Sequence, residues 1–214
     1  MRSRLSVLSA FALCAILLTS TRAFAQGTTY GVQGGINISN VSFKAGDSSE
    51  EVPDFKSRTR GVFGGFVARD FNPKVGLQVD VLYTQKGTQA DAVEDGFAFH
   101  IEIGADYIEI PVLIRGNIPG SGKVKARVFA GPSFGIKVHD KAKLSGGGMV
   151  LEGDDVAEFK SGDAGFVLGG AVQFGQVFVD LRYNWGFVNI VKDDGTGDEA
   201  KTRTFGIMIG FQIK

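Results

Sequence analysis

The stretch Ala105–Gly116, ADYIEIPVLIRG, carries two kinds of side chain in strict alternation. One face is aliphatic and consists of Ile108, Ile110, Val112 and Ile114. The other face combines an acid, a proline, a leucine and an arginine, at Glu109, Pro111, Leu113 and Arg115. A period of two indicates a β-strand whose faces meet different surroundings. Because proline removes one ladder donor and is normally confined to edges or bulges, we expect a bulge or kink at Pro111.

Seven further segments alternate in the same way, so the chain contains eight candidate strands. The strand around the opening stretch covers about Ile101–Ile118, and the others are Tyr30–Ser39, Gly61–Arg69, Val75–Lys86, Lys125–Val138, Asp163–Phe174, Val177–Asn189 and Thr202–Lys214. The phase of Gly61–Arg69 is ambiguous, because apolar residues fall on both of its faces.

The connections between these segments alternate between long and short. The long loops are Asn40–Arg60, Gly87–His100, His139–Gly162 and Ile190–Lys201. The short turns are Asp70–Lys74, Asn117–Lys123 and Gly175–Gln176, the last with a glycine for the unusual backbone angle of a tight hairpin. Strict alternation of this kind predicts an up-and-down meander.

The first 25 residues have the organisation of a secretory signal peptide. Arg2 and Arg4 form a basic start, a mostly apolar run follows over Leu5–Leu18, and Ala23-Phe24-Ala25 is a small-x-small cleavage site. The only cysteine, Cys14, lies in that apolar run. We therefore predict a signal peptide over 1–25 and a single cysteine-free barrel domain over 26–214.

A sheet that crosses a bilayer must close on itself to pair its edge groups, and segments of about 9–11 tilted residues suffice to cross. Bacterial outer-membrane barrels combine short periplasmic turns with long outer loops. We therefore predict an all-β fold, an eight-stranded antiparallel up-and-down transmembrane β-barrel in the bacterial outer membrane. The aliphatic faces are expected to contact outer-membrane lipid, and the barrel to be a monomer.

Aromatic residues fall toward the ends of the predicted strands on the aliphatic face. They are Tyr30, Tyr83, Phe174, Trp185, Phe187 and Phe211. Girdles of aromatic residues at both membrane interfaces are typical of such barrels. Removal of the signal peptide lowers the net charge from 0 to −3, and this balance gives no support to nucleic-acid binding.

Five segments resemble successive strands of the PorT-like outer-membrane β-barrel family. They are GVQGGINISNV (31–41), LQVDVLYTQKG (77–87), YIEIPVLIRG (107–116), VFAGPSFGIKV (128–138) and FVDLRYNWGFVNI (178–190). The resemblance implies an eight-stranded, porin-like barrel, most members of that family having no assigned biochemical activity. Two departures are Asp80, where that family more often has glutamate, and the final Ile213-Lys214, where many barrels end on an aromatic residue.

Six charged residues on the inward faces form the main candidate site. They are Asp80, Glu109, Arg115, Arg127, Asp180 and Arg182, three acids and three arginines. Counted from the short turns, all six fall in the periplasmic half of the lumen. An eight-stranded barrel is just wide enough for side chains, and buried charges persist only when paired. We predict a structural salt-bridge plug, with a charged constriction that passes small solutes as the alternative.

Two other classes of protein remain open from the sequence. A secreted, lipocalin-like barrel would turn its aliphatic faces inward around an apolar ligand. A rim enzyme that modifies lipids would use His100 or His139 as a base with Ser145 or Glu94. The acidic run Asp193–Glu199 lacks the alternating ligand positions of a calcium loop, so we predict no metal site there. We also predict no cofactor and no catalysis. The sequence favours a porin-like barrel with a structural, adhesive or narrow-pore role, whose outer loops contact extracellular ligands.

Overall fold

The computed structural model describes residues 27–44, 56–94, 97–118, 124–146, 149–154, 161–188 and 199–213. These residues form nine strands: β1 (Thr28–Lys44), β2 (Lys56–Asp70), β3 (Val75–Glu94), β4 (Phe97–Ile118), β5 (Val124–Gly146), β6 (Met149–Asp154), β7 (Gly162–Phe174), β8 (Val177–Gly186) and β9 (Glu199–Ile213). Within this part of the chain, no helix is long and apolar enough to cross a membrane. The predicted signal peptide and most of the acidic run at 193–198 lie outside the described residues.

Eight of these strands close into a barrel. Each pairs antiparallel with the next in the order β4-β3-β2-β1-β9-β8-β7-β5, and β4 pairs with β5 to complete the circle. Among the described residues β6 pairs only with the outer end of β5, over Lys141–Gly146, and it takes no part in the closure. The predicted eight-stranded antiparallel up-and-down barrel is confirmed.

The strand of the opening stretch, β4, divides its side chains as the alternation predicts. Ile114 is 66% exposed on the outside, whereas Leu113 is 0% and Glu109 6% exposed on the inside. The same division holds on the other barrel strands, for example between the exposed Leu181 and the buried Asp180 on β8. Aliphatic faces that point outward are the opposite of a lipocalin-like arrangement.

The outer surface carries an apolar band of the height that a membrane requires. On β4 the band runs from Ile108 to Ile118, and ten rises of about 3.3 Å tilted by about 40° span about 25 Å. The next outward residue beyond Ile108 is Asp106, whose Oδ2 accepts a 2.5 Å hydrogen bond from the Tyr83 hydroxyl. The band therefore ends at this level on the side away from the short turns.

The six predicted girdle aromatics all lie on the outer surface, in two groups. Tyr30, Phe174 and Phe211 lie near the short turns, where Phe174 pairs with Val177 and Val177 with Phe211. Tyr83, Trp185 and Phe187 lie toward the opposite boundary, with the Trp185 ring 4.5 Å from that of Tyr183. Two aromatic levels with an aliphatic band between them match the two interfaces of a bilayer.

The predicted long loops are in large part strands, so those loop boundaries are wrong. β3 and β4 stay paired from Lys86–Ala105 up to Glu94–Phe97, across the predicted loop Gly87–His100. The predicted loop at His139–Gly162 contains the end of β5 and all of β6. Outside the membrane both faces of a strand meet water, so the period-two contrast that marks a strand disappears.

The expected bulge at Pro111 is also wrong. The β3–β4 register is the same at Val79–Val112 as at Leu82–Glu109, on either side of the proline. In the β4–β5 ladder the single register shift lies between Asp106 and Tyr107. The missing donor of Pro111 interrupts the pairing with β3 locally but does not displace the strand. The proline ring is fully buried in the interior.

Glycines on the inner wall make room for two phenylalanine rings. A Cβ on Gly210 would lie 2.1 Å from the Phe178 ring, and one on Gly169 would lie 2.5 Å from the Phe129 ring. The predicted tight hairpin at Gly175–Gln176 is confirmed, with Gly175 at a φ of 62°. Glycine therefore lets bulky rings lie against the wall of a narrow lumen.

Candidate functional site

The centre of the lumen contains an ion-pair cluster around Arg182. Its Nε and Nη2 each donate a 2.9 Å hydrogen bond to Asp180, and its Nη1 donates one of 2.9 Å to Asp80. Gln78 donates a further hydrogen bond of 2.7 Å to Asp80. The guanidinium lies 5.2 Å from the centre of the Phe129 ring. Three of the six predicted charges thus form one fully hydrogen-bonded cluster.

A second cluster lies closer to the outer side and is centred on Lys86. Lys86 Nζ lies 2.8 Å from Glu109 Oε2 and 3.1 Å from Asp163 Oδ2. Asn184 Nδ2 donates a 2.5 Å hydrogen bond to Glu109. Sequence analysis missed Lys86 and Asp163 as partners of Glu109, although both lie on the inward phase of their strands.

The remaining two predicted charges, Arg115 and Arg127, lie at the end of the barrel with the short turns. Arg115 donates to Asp70 Oδ1 through Nε and Nη2, at 3.1 and 2.8 Å. Arg127 Nη1 donates a 3.3 Å hydrogen bond to Gln212 Oε1, and the guanidinium lies 4.8 Å from the centre of the Phe178 ring. The six predicted residues are therefore divided among three levels of the lumen.

Buried apolar side chains separate these levels, and sequence analysis had placed only some of them, such as Leu113, on the inward face. One buried cluster comprises Phe66, Ala68, Leu113, Phe129, Val167, Ala171 and Phe178, and a smaller one comprises Val62, Leu82 and Met208. The apolar residues on both faces of Gly61–Arg69 already indicated apolar side chains in the lumen. On β2, Val62 and Phe66 face inward while Phe63 and Val67 face outward. The lumen is a mixed apolar and ionic core.

Internal spaces lie at two levels of the described lumen. One of about 20 Å³ lies beside Glu109, Arg182 and Met208, and it is large enough for about one water molecule. The other, of about 320 Å³, lies at the short-turn end, between Arg115 and Arg127. The filled middle divides the lumen, so the larger space is a pocket that opens at one end only of the described barrel.

The two histidines lie near the outer end of the barrel, as predicted. His100 pairs with Ser145 across β4 and β5, but the Ser145 hydroxyl donates to the backbone oxygen of His100 at 3.4 Å. The His100 ring instead lies 3.3 Å from Glu102. His139 pairs with Asp106, six positions along β5 from Ser145. The side chain of Glu94 lies outside the described residues, and the others do not assemble a serine–histidine pair.

Glu102 forms the main charge cluster in the described part of this outer region. Its carboxylate forms an ion pair with Arg58, and Arg60 Nη2 lies 3.7 Å away. The hydrogen bond from Arg58 lowers the pKa of Glu102 from its ordinary value, and nearby His100 acts in the same direction. The cluster therefore links β2 to β4 outside the membrane.

With the barrel, its apolar band and its filled lumen established, the chain can be placed among known proteins. A family model described as the outer membrane protein beta-barrel domain matches residues 24–192. The chain belongs to the outer membrane protein β-barrel domain family. No curated protein sequence matches it.

Several solved outer-membrane barrels are similar to the chain. The attachment invasion locus protein Ail of Yersinia pestis is 16% identical at a TM-score of 0.42, and the match covers 86% of this chain and 98% of Ail. OprG of Pseudomonas aeruginosa is 10% identical at a TM-score of 0.44, over 88% and 97%. The protease OmpT of Escherichia coli is 9% identical at a TM-score of 0.41, over 91% and 99%.

Proposed function

We propose that this outer-membrane barrel is a non-conducting, non-enzymatic protein that holds a β-sheet above the cell surface for contact with an extracellular partner. The main support for this proposal is the filled lumen, which leaves the outer extensions of the strands as the surface available for function. An adhesive or structural role is therefore favoured over a pore.

Three layers of packed side chains argue against conduction. Leu113, Val167, Met208, Asp80 and Asp180 are all essentially inaccessible to solvent. Each central charge is held by hydrogen bonds of about 2.9 Å, and the space beside Glu109 and Arg182 measures about 20 Å³. A hydrated ion would have to displace these groups and leave buried charges unpaired.

The outer extensions give the molecule its second functional feature. β3, β4 and β5 have 20, 22 and 23 residues, about twice the 9–11 that cross a bilayer. The surplus continues as paired strands, with β4 joined to β5 up to Phe99–Gly146 and β5 joined to β6. A rigid scaffold that presents variable connections suits recognition.

The rim geometry supports a non-enzymatic role. A nucleophile needs its base within hydrogen-bond reach, whereas the Ser145 hydroxyl is directed to a backbone carbonyl and the His100 ring to a carboxylate. Alanine at His100 and His139 is expected to leave every lipid-modifying activity of the host membrane unchanged. Loss of such an activity in the double variant would favour the enzyme alternative.

Planar-bilayer recording tests the closed lumen. The purified full chain is expected to give no unitary steps above the lipid leak. As a positive control, a variant with alanine at both Phe129 and Arg182 removes the central ring and its cation, and it is expected to conduct once heat-modifiable migration has shown that it is folded. Unitary steps from the unaltered protein would contradict the proposal.

Cell attachment tests the outer sheet. Cells that express the full chain are expected to attach to protein-coated glass more than cells whose barrel lacks Met149–Asp154, at equal surface abundance. The deletion removes β6 but none of the eight barrel strands. Equal attachment by both strains would count against the adhesive role.

Finer expectations about the chain stay predictions. They are export by a signal peptide over 1–25, membership of the PorT-like group, a monomeric barrel, and the absence of any cofactor. Amino-terminal sequencing of the mature protein checks the first, with Gln26 as the expected start.

A further inference from the structure

The short-turn end of the lumen contains a pocket of about 320 Å³. It lies between the ends of β2, β4, β5, β7 and β9, and its polar lining includes Asp70, Arg115, Lys125, Arg127, Gln173 and Gln212. In barrels of this type the short turns face the periplasm. The pocket therefore faces the periplasm.

The charges in this lining do not balance. Three side chains are cationic, Arg115, Lys125 and Arg127, whereas Asp70 is the only acid that lines the pocket within the described residues. Asp70 is already engaged through one oxygen, which accepts hydrogen bonds from Arg115 and, at 2.9 Å, from Asn117. The lining thus carries a net charge of +2 on side chains that share one small volume.

Two guanidinium nitrogens of the arginines that line this pocket are buried and have no hydrogen-bond partner in the described part of the chain. They are Nη1 of Arg115 and Nη2 of Arg127. Their residues are only 2% and 8% exposed. Arg115 uses its other nitrogens on Asp70, and Arg127 uses Nη1 on Gln212. An N–H of a buried guanidinium is costly to leave without an acceptor, and of the two arginines only Arg115 already has a carboxylate partner, Asp70.

We propose that this periplasmic pocket binds a phosphate group. A phosphate oxygen can accept hydrogen bonds from both guanidinium groups, which suit planar, multidentate recognition of oxyanions. The negative charge of the phosphate offsets the excess positive charge of the lining, which a neutral water molecule would not change. The pocket also has room for more than the phosphate itself, so the group belongs either to a phospholipid headgroup or to a free periplasmic solute.

Thermal unfolding of the full chain in a maltoside detergent, with inorganic phosphate as the probe, tests the site. Phosphate is expected to raise the Tm saturably, because a ligand that binds only the folded state stabilises it. Chloride at equal ionic strength controls for screening. The Arg127→Gln variant is expected to weaken the apparent phosphate affinity about tenfold or more, the loss expected for a charge-assisted hydrogen bond.

A matched variant separates the pocket from general charge effects. Arg203→Gln removes an exposed arginine near the opposite end of the barrel, where Arg203 pairs with Trp185, and it is expected to keep the full phosphate response. The phosphate-dependent increment in Tm decides the outcome, so a change of baseline stability in either variant does not affect the reading.

Reconstitution distinguishes the two sources of the phosphate group. If the phosphate response is lost in phosphatidylethanolamine vesicles but present in maltoside, the natural occupant is a lipid headgroup. If it persists in both, the occupant is a solute. The proposal is overturned if phosphate and chloride act alike, or if Arg127→Gln responds to phosphate as the unaltered protein does.

Discussion

Arg182 donates a hydrogen bond to Asp80, a residue 102 positions earlier in the chain, and so joins β8 to β3 across the lumen. The two strands are not neighbours, because β2, β1 and β9 lie between them in the barrel wall. The contact therefore acts as a strut through the interior, and Asp180 completes it from the same strand as Arg182.

Replacement of Arg182 by methionine is expected to lower the free energy of unfolding by about 3–5 kcal/mol, because Asp80 and Asp180 lose the cation between them. Urea unfolding in lipid vesicles, followed by tryptophan fluorescence, measures the change. A variant that also carries Asp80→Asn and Asp180→Asn is expected to recover part of the loss. A single variant as stable as the unaltered protein would show that the strut contributes nothing.

Replacement of the outward Leu181 by arginine is expected to cost about 2–4 kcal/mol, because the charge would face the middle of the bilayer. Tyr30→Arg, at the short-turn boundary, is the matched control and is expected to cost about 0–1 kcal/mol. Folding into vesicles of both variants gives the comparison. Equal costs at the two depths would contradict the proposed orientation in the membrane.

Replacement of Gly210 by alanine is expected to destabilise the barrel by about 1–3 kcal/mol, since the new Cβ would overlap the buried Phe178 ring. Gly34→Ala serves as the control, because its Cβ would meet other atoms at no less than 3.5 Å. Heat-modifiable migration and urea unfolding report both effects. If the two alanine variants behave alike, the glycine is not needed for ring packing.

Local stability at the outer end of β4 is expected to depend on the charge of Glu102. Because Arg58 lowers the pKa of this carboxyl, its contribution is present above the pKa of the unfolded chain, about 4.3. The contribution is lost as pH falls through the lowered folded value. Amide exchange of the outer β4 residues should differ between the unaltered protein and Glu102→Gln at pH 6, but not at pH 2.

An equal difference at both pH values would mean that the carboxylate charge is not what links β2 and β4. Arg69→Gln, on the outward face near the short turns, controls for the loss of one charge elsewhere and is expected to leave the exchange at the outer end of β4 unaltered.

The lipid-facing side of the fold could be read from the sequence because one simple rule acts on it. A bilayer requires apolar side chains at every second position of a strand. The alternation therefore shows directly that Ile108, Ile114 and Leu181 point toward the lipid. The closure also follows, because an open edge cannot persist in lipid. The eight strands were therefore predictable from the residues alone, and so were their faces, apart from the ambiguous phase of Gly61–Arg69.

The interior could not be read in the same way. Strand tilt brings Asp80 next to Arg182 and Lys86 next to Glu109 and Asp163, and no sequence period encodes contacts between strands that are distant in the chain. Phe66 and Phe129 were hard to assign because apolar residues also fill the interior. The outer extensions were missed because water surrounds both faces of their strands.

The brevity of β6 has a consequence for cells that carry many copies of this barrel. Within the described residues β6 pairs on one side only, with β5, so its other side is an edge that could accept a strand from a neighbouring molecule. The edge is only six residues long. A very short edge strand is a poor template for pairing with another chain, so adjacent molecules can crowd on one surface without joining into a common sheet.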